Sequence, residues 1–551
     1  MSTQSATTAI THEVTVAGGV FAPGHLGELT QFLPFELVDD VLAQTRTVQR
    51  RLRELPSRVG VYFVLALAMF PHLGYARVWG KLTAGLAGLA LPVPSEKALR
   101  DLRRRIGPAP LKALFETIAV PLASPRVPGV AYRGLRTVAF DGLNSVKVPD
   151  SDRNRFWLGK KITQLGIAGY PAMRIVALAE TGTRGLLGAV IGGRGERAEV
   201  PLARKLIPLL GEGMLLLADR AYDAADLLKE VSATGAHFLV RGTAARKPAV
   251  EEVLPDGSYL SRIDGLPVRI IEADLDVRGA DGTRLGDSYR LITTLVDWRA
   301  YPAAELVSIY HERWEIEVAY LALRHTLLGG YVLRSRDRPG AEQELWALLA
   351  LYQALRMAMT EAAGSVPGTD PDRAGFTTAL EAAREQVITA RGITSPDGAG
   401  QIGRAVLAAL LPARRARYSA RKVKCSTSRF HLRDEHRPEL PTRITHVQVT
   451  IITPPPDRPA AVPRTRPARP PGPRPPRPET RRERVTRIMN SQPGRHWAGR
   501  DLADMLAIKP RNLLTQLAEW TRLGFITRTD FGTYALNTPS NPEYSTNEPG
   551  P

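Results

Sequence analysis

Cysteine is all but missing: Cys425 stands alone in 551 residues. One thiol excludes a disulfide framework and a cysteine-based zinc site, and it suits a reducing compartment. The ten histidines show no ligand spacing for zinc, which disfavours a histidine-type metallohydrolase. Long hydrophobic runs are lacking too. The most apolar stretch, Val59–Phe70, covers about a dozen residues before Pro71, too short to span a bilayer. Met1–Ile10 has no basic segment followed by an apolar one, so no secretory signal is expected and a cytoplasmic protein is. Acid is in deficit, with 55 Asp and Glu against 74 Lys and Arg, a formal charge of +19. That excess implies a polyanionic partner, most commonly nucleic acid, although an arginine-rich coding bias accounts for part of it. The acids that remain are therefore the informative residues.

What is present suits a globular protein, with 44% hydrophobic and 23% charged residues. The length suggests about two to four domains. Residues 1–125 read as a helical domain, with apolar residues at helical spacing in Leu37, Val38, Val41 and Leu42 and in Val59–Phe70. Ser95–Glu116 carries Leu99, Leu102 and Ile106 on one face and Arg100, Arg103, Arg104 and Arg105 on the other. It is either a DNA-contacting helix or a solvated basic one.

Residues 130–365 change to strands. Arg136–Asp141 and Asn144–Pro149 are short extended runs, and Met173–Glu180 and Leu186–Ile191 read as a hairpin. Helix Pro201–Leu210, strand Met214–Ala218, helix Ala224–Thr234 and strand His237–Arg241 follow. The order is that of a ribonuclease-H-like α/β sheet. A turn-rich β insertion is expected at about 243–288, then strand Tyr289–Val296, a long helix from Pro302 to about Leu328, and helices Ala341–Ala363 and Gly375–Arg391. Residues 366–453 read as a helical and basic segment, whose run Arg414–Lys424 either tracks DNA backbone or is solvated. The Pro/Arg tract in 454–479 is a semi-rigid linker. Residues 480–540 read as three helices and a hairpin, a winged helix-turn-helix, with Lys509, Arg511, Asn512 and Gln516 on the helix that would enter a major groove. A protein-docking winged helix is the alternative.

Cutting and rejoining a phosphodiester requires an activated hydroxyl, a stabilised leaving oxygen and neutralised phosphate charge. Two Mg²⁺ or Mn²⁺ ions about 3.5–4 Å apart supply all three, held by carboxylates. Asp141 and Asp219 each end an apolar strand, and Glu317 lies on the long helix. An acid at a strand end is by itself more often a turn former or cap, and Asp223 could equally cap the helix after Tyr222. Tyr310, Arg313, Glu317 and Arg324, however, fall along one helical face. Arginines flanking a metal-bound Glu suit phosphate clamping; a surface ladder of Glu312, Arg313, Glu315 and Glu317 is the bland alternative. Trp298, just ahead of that helix, either packs or holds an unstacked base.

Phe140-Asp141-Gly142, Ala218-Asp219-Arg220-Ala221-Tyr222 and Tyr310 through Glu317 resemble the three catalytic blocks of the DDE transposases of the insertion-sequence-four class, whose signature is Tyr-x2-Arg-x3-Glu-x6-Lys. The resemblance covers roughly residues 10–430. It implies that Asp141, Asp219 and Glu317 are metal ligands for two Mg²⁺ or Mn²⁺ ions and that Tyr310, Arg313 and Arg324 contact DNA phosphate. It also implies transposon ends and target as double-stranded DNA partners, and a homodimer in the synaptic complex. Two features depart from the family: Arg324 replaces the signature lysine, and the winged-helix tail is added. The expected function is end cleavage and strand transfer near the nucleoid. The alternative is a domesticated, non-catalytic DNA-binding regulator.

Overall fold

The computed structural model describes residues 25–51, 53–86, 91–160, 166–193, 198–243, 245–279, 284–389, 400–413, 444–455, 479, 481–508, 510–522 and 525–537, with the pairs 15–16, 20–21 and 162–163. The chain divides into two compact units, Met1–Arg464 and Thr465–Pro551. Cys425, the basic run Arg414–Lys424 and most of the Pro/Arg tract lie outside the described residues. Among the described residues no helix is long and apolar enough to cross a membrane.

The first unit opens with helices α1 (Phe35–Gln44), α2 (Ser57–Met69), α3 (Tyr75–Thr83), α4 (Glu96–Ile106) and α5 (Ala109–Ile118). The stretch Ser95–Glu116 breaks into α4 and α5 because Gly107 takes φ 68°, a left-handed value that glycine adopts without strain. Ser95 caps α4 by accepting from the Ala98 N–H at 3.2 Å.

The sheet is built on β1 (Leu135–Lys147), β2 (Ala172–Glu180), β3 (Leu186–Gly192), β4 (Met214–Ala218) and β5 (His237–Arg241). Helices α6 (Asp152–Leu158), α7 (Glu199–Arg204) and α8 (Ala225–Ala233) lie in their connections. Strands run in the order β3-β2-β1-β4-β5. Strands β1 to β3 form an antiparallel meander, while β4 is parallel to β1 and β5 to β4. That is the ribonuclease-H-like arrangement expected from the element order.

Beyond β5 the sheet continues through β6 (Tyr259–Ile263), β7 (Leu266–Gly279) and β8 (Arg284–Thr293), with β8 next to β5. The expected insertion and the strand thought to resume the fold are thus one long hairpin, β7–β8. Both faces of the central strands are covered. Ala139, Ala177, Leu217 and Leu239 share one core with the amino-terminal helices and the helices that follow the sheet. Val138, Phe140, Leu216 and Phe238 share another with α7 and α8.

After β8 come α9 (Ala303–Tyr310), a 3-10 turn His311–Arg313, α10 (Trp314–Leu321) and a π-helical turn Ala322–Leu327. The single long helix expected here is therefore interrupted twice. Then follow α11 (Arg338–Gly364), α12 (Phe376–Thr389), α13 (Gln401–Ala408) and β9 (Ile444–Ile451). Strand β9 pairs antiparallel with the far half of β7, from Ala273↔Ile451 onwards.

The amino-terminal helices, expected as a separate domain, share a core with the sheet's covering helices. Phe115 packs on Trp346 at 5.6 Å. Arg103, expected on a basic outer face, is 5% exposed. It donates to Gln343 Oε1 at 3.0 Å, Glu344 Oε1 at 3.0 Å and the Tyr75 hydroxyl at 2.5 Å. Arg105 donates to the Leu55 carbonyl at 2.5 Å, which leaves Arg100 and Arg104 for the outer face of α4.

The second unit contains α14 (Arg481–Asn490), α15 (Gly499–Met505), α16 (Pro510–Arg522), β10 (Ile526–Asp530) and β11 (Thr533–Leu536). The pair Trp497–Ala498 adds a third strand beside β11. Val485, Met489, Trp497, Leu502, Leu517 and Trp520 form its core.

Arg103→Ala strands the Glu344 carboxylate in the interior and should lower unfolding stability by about 3–5 kcal/mol. Arg100→Ala, on the exposed side of the same helix, should change it by less than about 0.5 kcal/mol. Chemical denaturation followed by far-UV circular dichroism checks both.

Candidate active site

Asp141 is not the last residue of its strand. Pairing with β2 carries β1 on to Lys147, with an irregularity between Leu143 and Val146. The ladder to β4 is shorter and ends at Ala139↔Leu217. Two residues beyond that last pair lie Asp141 on β1 and Asp219 just after β4. Side chains on a strand alternate at period two, so both carboxylates project to the face shared by Ala139 and Leu217. The sequence therefore places two acids side by side because its two parallel strands are in a register that matches them.

Each aspartate is set by its own backbone. Asp141 is 6% exposed, and its Oδ1 accepts from the Gly142 N–H at 2.8 Å. Asp219 Oδ1 accepts from the Ala221 N–H at 2.7 Å, opening the turn Arg220–Tyr222. Asp223 does not cap α8. Its buried carboxylate accepts from the Thr243 N–H at 2.7 Å and pairs with Arg246 at 2.7 Å, fixing the loop after β5.

Helix α10 brings the third acid. The Tyr320 hydroxyl donates to the Asp141 carbonyl at 2.7 Å and accepts from the Ala177 N–H at 3.2 Å, so this buried ring fastens the helix to β1 and β2. Glu317 lies one turn before Tyr320, and Arg313 one turn before that. Arg313 Nη1 is 3.4 Å from Glu317 Oε1. Burial alone would lower the Arg313 pKa. The Tyr310 hydroxyl and the carboxylates of Asp141, Glu317 and Asp219 outweigh it and hold the guanidinium above its ordinary value. All three acids are thus within electrostatic reach of one cation.

Among the described residues no three His, Cys, Asp or Glu side chains stand close enough to enclose a metal ion. The donor chemistry nonetheless fits a hard divalent cation: three carboxylates, with neither sulfur nor imidazole among them.

Comparison with known proteins bears on this geometry. Residues 23–116 match the family described as insertion element 4 transposase N-terminal, and residues 134–353 match the transposase DDE domain. The transposase InsG for insertion sequence element IS4 of Escherichia coli K12 is 27% identical over 411 residues, covering 72% of this chain and 92% of InsG. The InsZ protein of the same strain is 28% identical over 213 residues, 38% of this chain and 69% of InsZ. The chain belongs to the insertion-sequence-four family of DDE transposases.

The other residues singled out in this transposase occupy varied settings. Tyr310 is 3% exposed and packs edge-on against Tyr289 at 5.9 Å, beside the Arg313 guanidinium. Arg324 lies in the π-helical turn, and its Nη1 donates to Ser145 Oγ on β1 at 2.8 Å. Trp298 is half-buried in the loop before α9, with the Arg299 guanidinium 4.6 Å from its ring centre. Lys509 and the Arg511 side chain lie outside the described residues. Gln516, expected to face a groove, accepts from Arg481 Nη1 at 2.9 Å. The surface ladder of acids is ruled out, since Glu315 is buried and accepts from Arg184 Nε at 2.5 Å.

Sequence reasoning gave no role to two residues beside the aspartates. Tyr222 is 1% exposed with its ring 5.9 Å from that of Phe140, and Glu199 accepts from Asn144 Nδ2 at 2.7 Å. Tyr222 could have been suspected from its place three residues after Asp219; nothing local marks Glu199.

Two measurements test this arrangement. Tyr320→Phe removes the partner of two buried backbone groups and should cost about 1–3 kcal/mol of stability. The same change should slow DNA cleavage by about 10–100-fold through misplacement of Asp141 against Glu317. The second concerns His311, whose pKa falls from 6.5 to about 4, first through burial and then through Arg313 and Arg241. The fold favours the neutral ring, so its stability is complete above the unfolded pKa and is lost as pH falls from about 6.5 to about 4, by about 3 kcal/mol at most. His311→Phe, which retains ring packing against Tyr289 and Tyr310, should flatten that part of the stability–pH curve.

Proposed function

We propose that this transposase cuts at element ends and transfers strands with Asp141, Asp219 and Glu317 as the metal ligands, two Mg²⁺ or Mn²⁺ ions being the expected set. The observation that carries the proposal is the β1–β4 register, which aligns Asp141 with Asp219, together with the single guanidinium, Arg313, that feels both aspartates and Glu317. The bound ions would supply an activated hydroxyl and neutralise phosphate charge. The protein's own residues provide the rest. Tyr320 fixes the spacing between β1 and α10, Arg313 balances the acids and meets a phosphate brought against them, and Tyr310 holds Arg313 from the side. Arg324, anchored on Ser145, contributes a second guanidinium toward the DNA backbone in place of the signature lysine. Trp298 is the aromatic candidate for an unstacked base.

The carboxyl-terminal unit, with three helices followed by a hairpin, supports a winged helix that binds duplex DNA through α16, with Lys509 and Arg511 as contacts. The amino-terminal helices would add contacts through the outer face of α4. A homodimer is the assembly that pairing two element ends calls for, and a cytoplasmic setting at the nucleoid follows from the substrate. The regulator alternative finds no support in either relative.

Asp219→Asn should abolish metal-dependent cleavage of a fragment carrying paired element ends, and leave DNA affinity unchanged or raised because a negative charge facing phosphate is removed. Cleavage gels and fluorescence anisotropy on the same DNA measure the two effects. Cleavage by the variant at the wild-type rate would overturn the assignment.

A further inference from the structure

Helix α7 packs on β1 and on the turn Arg220–Tyr222, and its first residue, Glu199, lies over Gly142. A methyl group added at Gly142 would stand 2.5 Å from the Glu199 carboxyl carbon, so the absence of a side chain beside Asp141 is what admits this carboxylate. The β1–β4 ladder has already ended at Ala139, which leaves no strand between Gly142 and the turn after Asp219. Glu199 is further held by Asn144 Nδ2 at 2.7 Å, while Asn144 Oδ1 accepts from Arg174 Nε at 2.6 Å.

A second and independent observation points into the same place. The Tyr222 hydroxyl is buried and has no hydrogen-bond partner among the described residues. The Tyr222 ring packs on Phe140, on the face of β1 that α7 covers, and the charges of Asp141, Glu199 and Asp219 act on it. Buried hydroxyls without a partner are uncommon, and one set among acids is suited to an oxygen of a bound group or its water shell.

We infer that Glu199, on the Phe140 and Gly142 face of β1, is a positioning residue whose charge reaches Asp141 and Asp219 past the end of the β1–β4 ladder and which, through Asn144, fixes the stretch of β1 bearing Asp141. The inference rests on the metal-site assignment made above. It goes beyond the three acids of the family blocks, because Glu199 belongs to none of them. The charge acts on a cation from outside the ligand set, so removing it weakens cation binding without destroying the site. In a water-like dielectric, one unit of charge about 6–13 Å from a divalent ion corresponds to a change of roughly three- to tenfold in affinity.

The test uses the full-length chain without DNA and titrates Mn²⁺ alone, reading free ion by electron paramagnetic resonance. Glu199→Gln keeps the acceptor for Asn144 and the shape over Gly142 but loses the charge. It should weaken Mn²⁺ binding by roughly three- to tenfold, with an unfolding midpoint in EDTA equal to that of wild type. Glu199→Asp, which retains the charge, should return affinity toward wild type. The inference is overturned if Glu199→Gln binds Mn²⁺ as wild type does while Asp219→Asn binds weakly; Glu199 is then only a packing residue. Equal weakening by Gln and Asp would overturn it too, since shape rather than charge would be responsible. If Asp219→Asn also binds as wild type, the metal-site assignment itself fails, an outcome distinct from failure at Glu199 alone.

Discussion

The side chain on which the placement of α10 depends is Arg184, at the turn between β2 and β3. It adopts φ 61°, a left-handed conformation that costs an L-residue about 1 kcal/mol or more. In that conformation the guanidinium enters the interior, where it is 2% exposed and pairs with Glu315 on α10 and with Asp372 beyond α11. The Arg184 carbonyl accepts from the Tyr352 hydroxyl at 2.8 Å, and the Leu186 N–H donates to Gln353 Oε1 at 2.8 Å. One hairpin tip thereby holds α10, α11 and the segment after it. A buried ion pair of this kind adds little net stability over apolar residues of the same volume, because desolvation offsets the attraction. Its effect is on placement: only one position of α10 satisfies Glu315, and Glu317 is two residues away.

Placement by Arg184 alone would leave α10 free to pivot about one end. Tyr320 supplies the second point, since its hydroxyl binds β1 and β2 at once through Asp141 and Ala177. Two polar contacts on opposite sides of Glu317 fix both the height and the rotation of the helix. The 3-10 turn His311–Arg313 matters for the same reason. A turn of three residues stacks Tyr310 over Arg313, which keeps the guanidinium under Glu317 instead of letting it drift around the helix. The π-helical turn then widens the coil and carries Arg324 out to Ser145 on β1. Both departures from regular helix fall at the two ends of the segment that carries the acid.

Much of this was legible in the sequence because it is local. The meander, the β4–α8–β5 unit and the three helices of the carboxyl-terminal unit follow from periodicity and turn residues. What escaped was settled by partners far along the chain. Arg103 read as an outer-face residue because Glu344 is 241 residues away. Asp141 read as a strand end because the apolar run stops there, whereas β2 continues the pairing to Lys147. Strand β9 pairs with β7 across more than 160 residues and has no local mark beyond alternation. The 3-10 and π turns cost one hydrogen-bond register each and leave no trace in apolar spacing. Glu199 escaped for another reason: it is admitted by a missing side chain at Gly142, and an absence on one strand does not announce what fills it.

Three acids gathered in a chain of charge +19 pose an electrostatic question that the stripe on α9 and α10 answers. Carboxylates brought toward one another on neighbouring strands repel unless a positive charge is near, and a third adds to the repulsion. A lysine or arginine reaching in from solvent would relieve it but would also be lost to the first anion that approached. Arg313 avoids that exchange. Its guanidinium is 7% exposed, tied to Glu317 and flanked by the Tyr310 and Trp314 rings at 5.9 and 4.9 Å. A cation so enclosed stays with the acids whether or not DNA is present. An approaching phosphate thus meets positive charge that it cannot carry away.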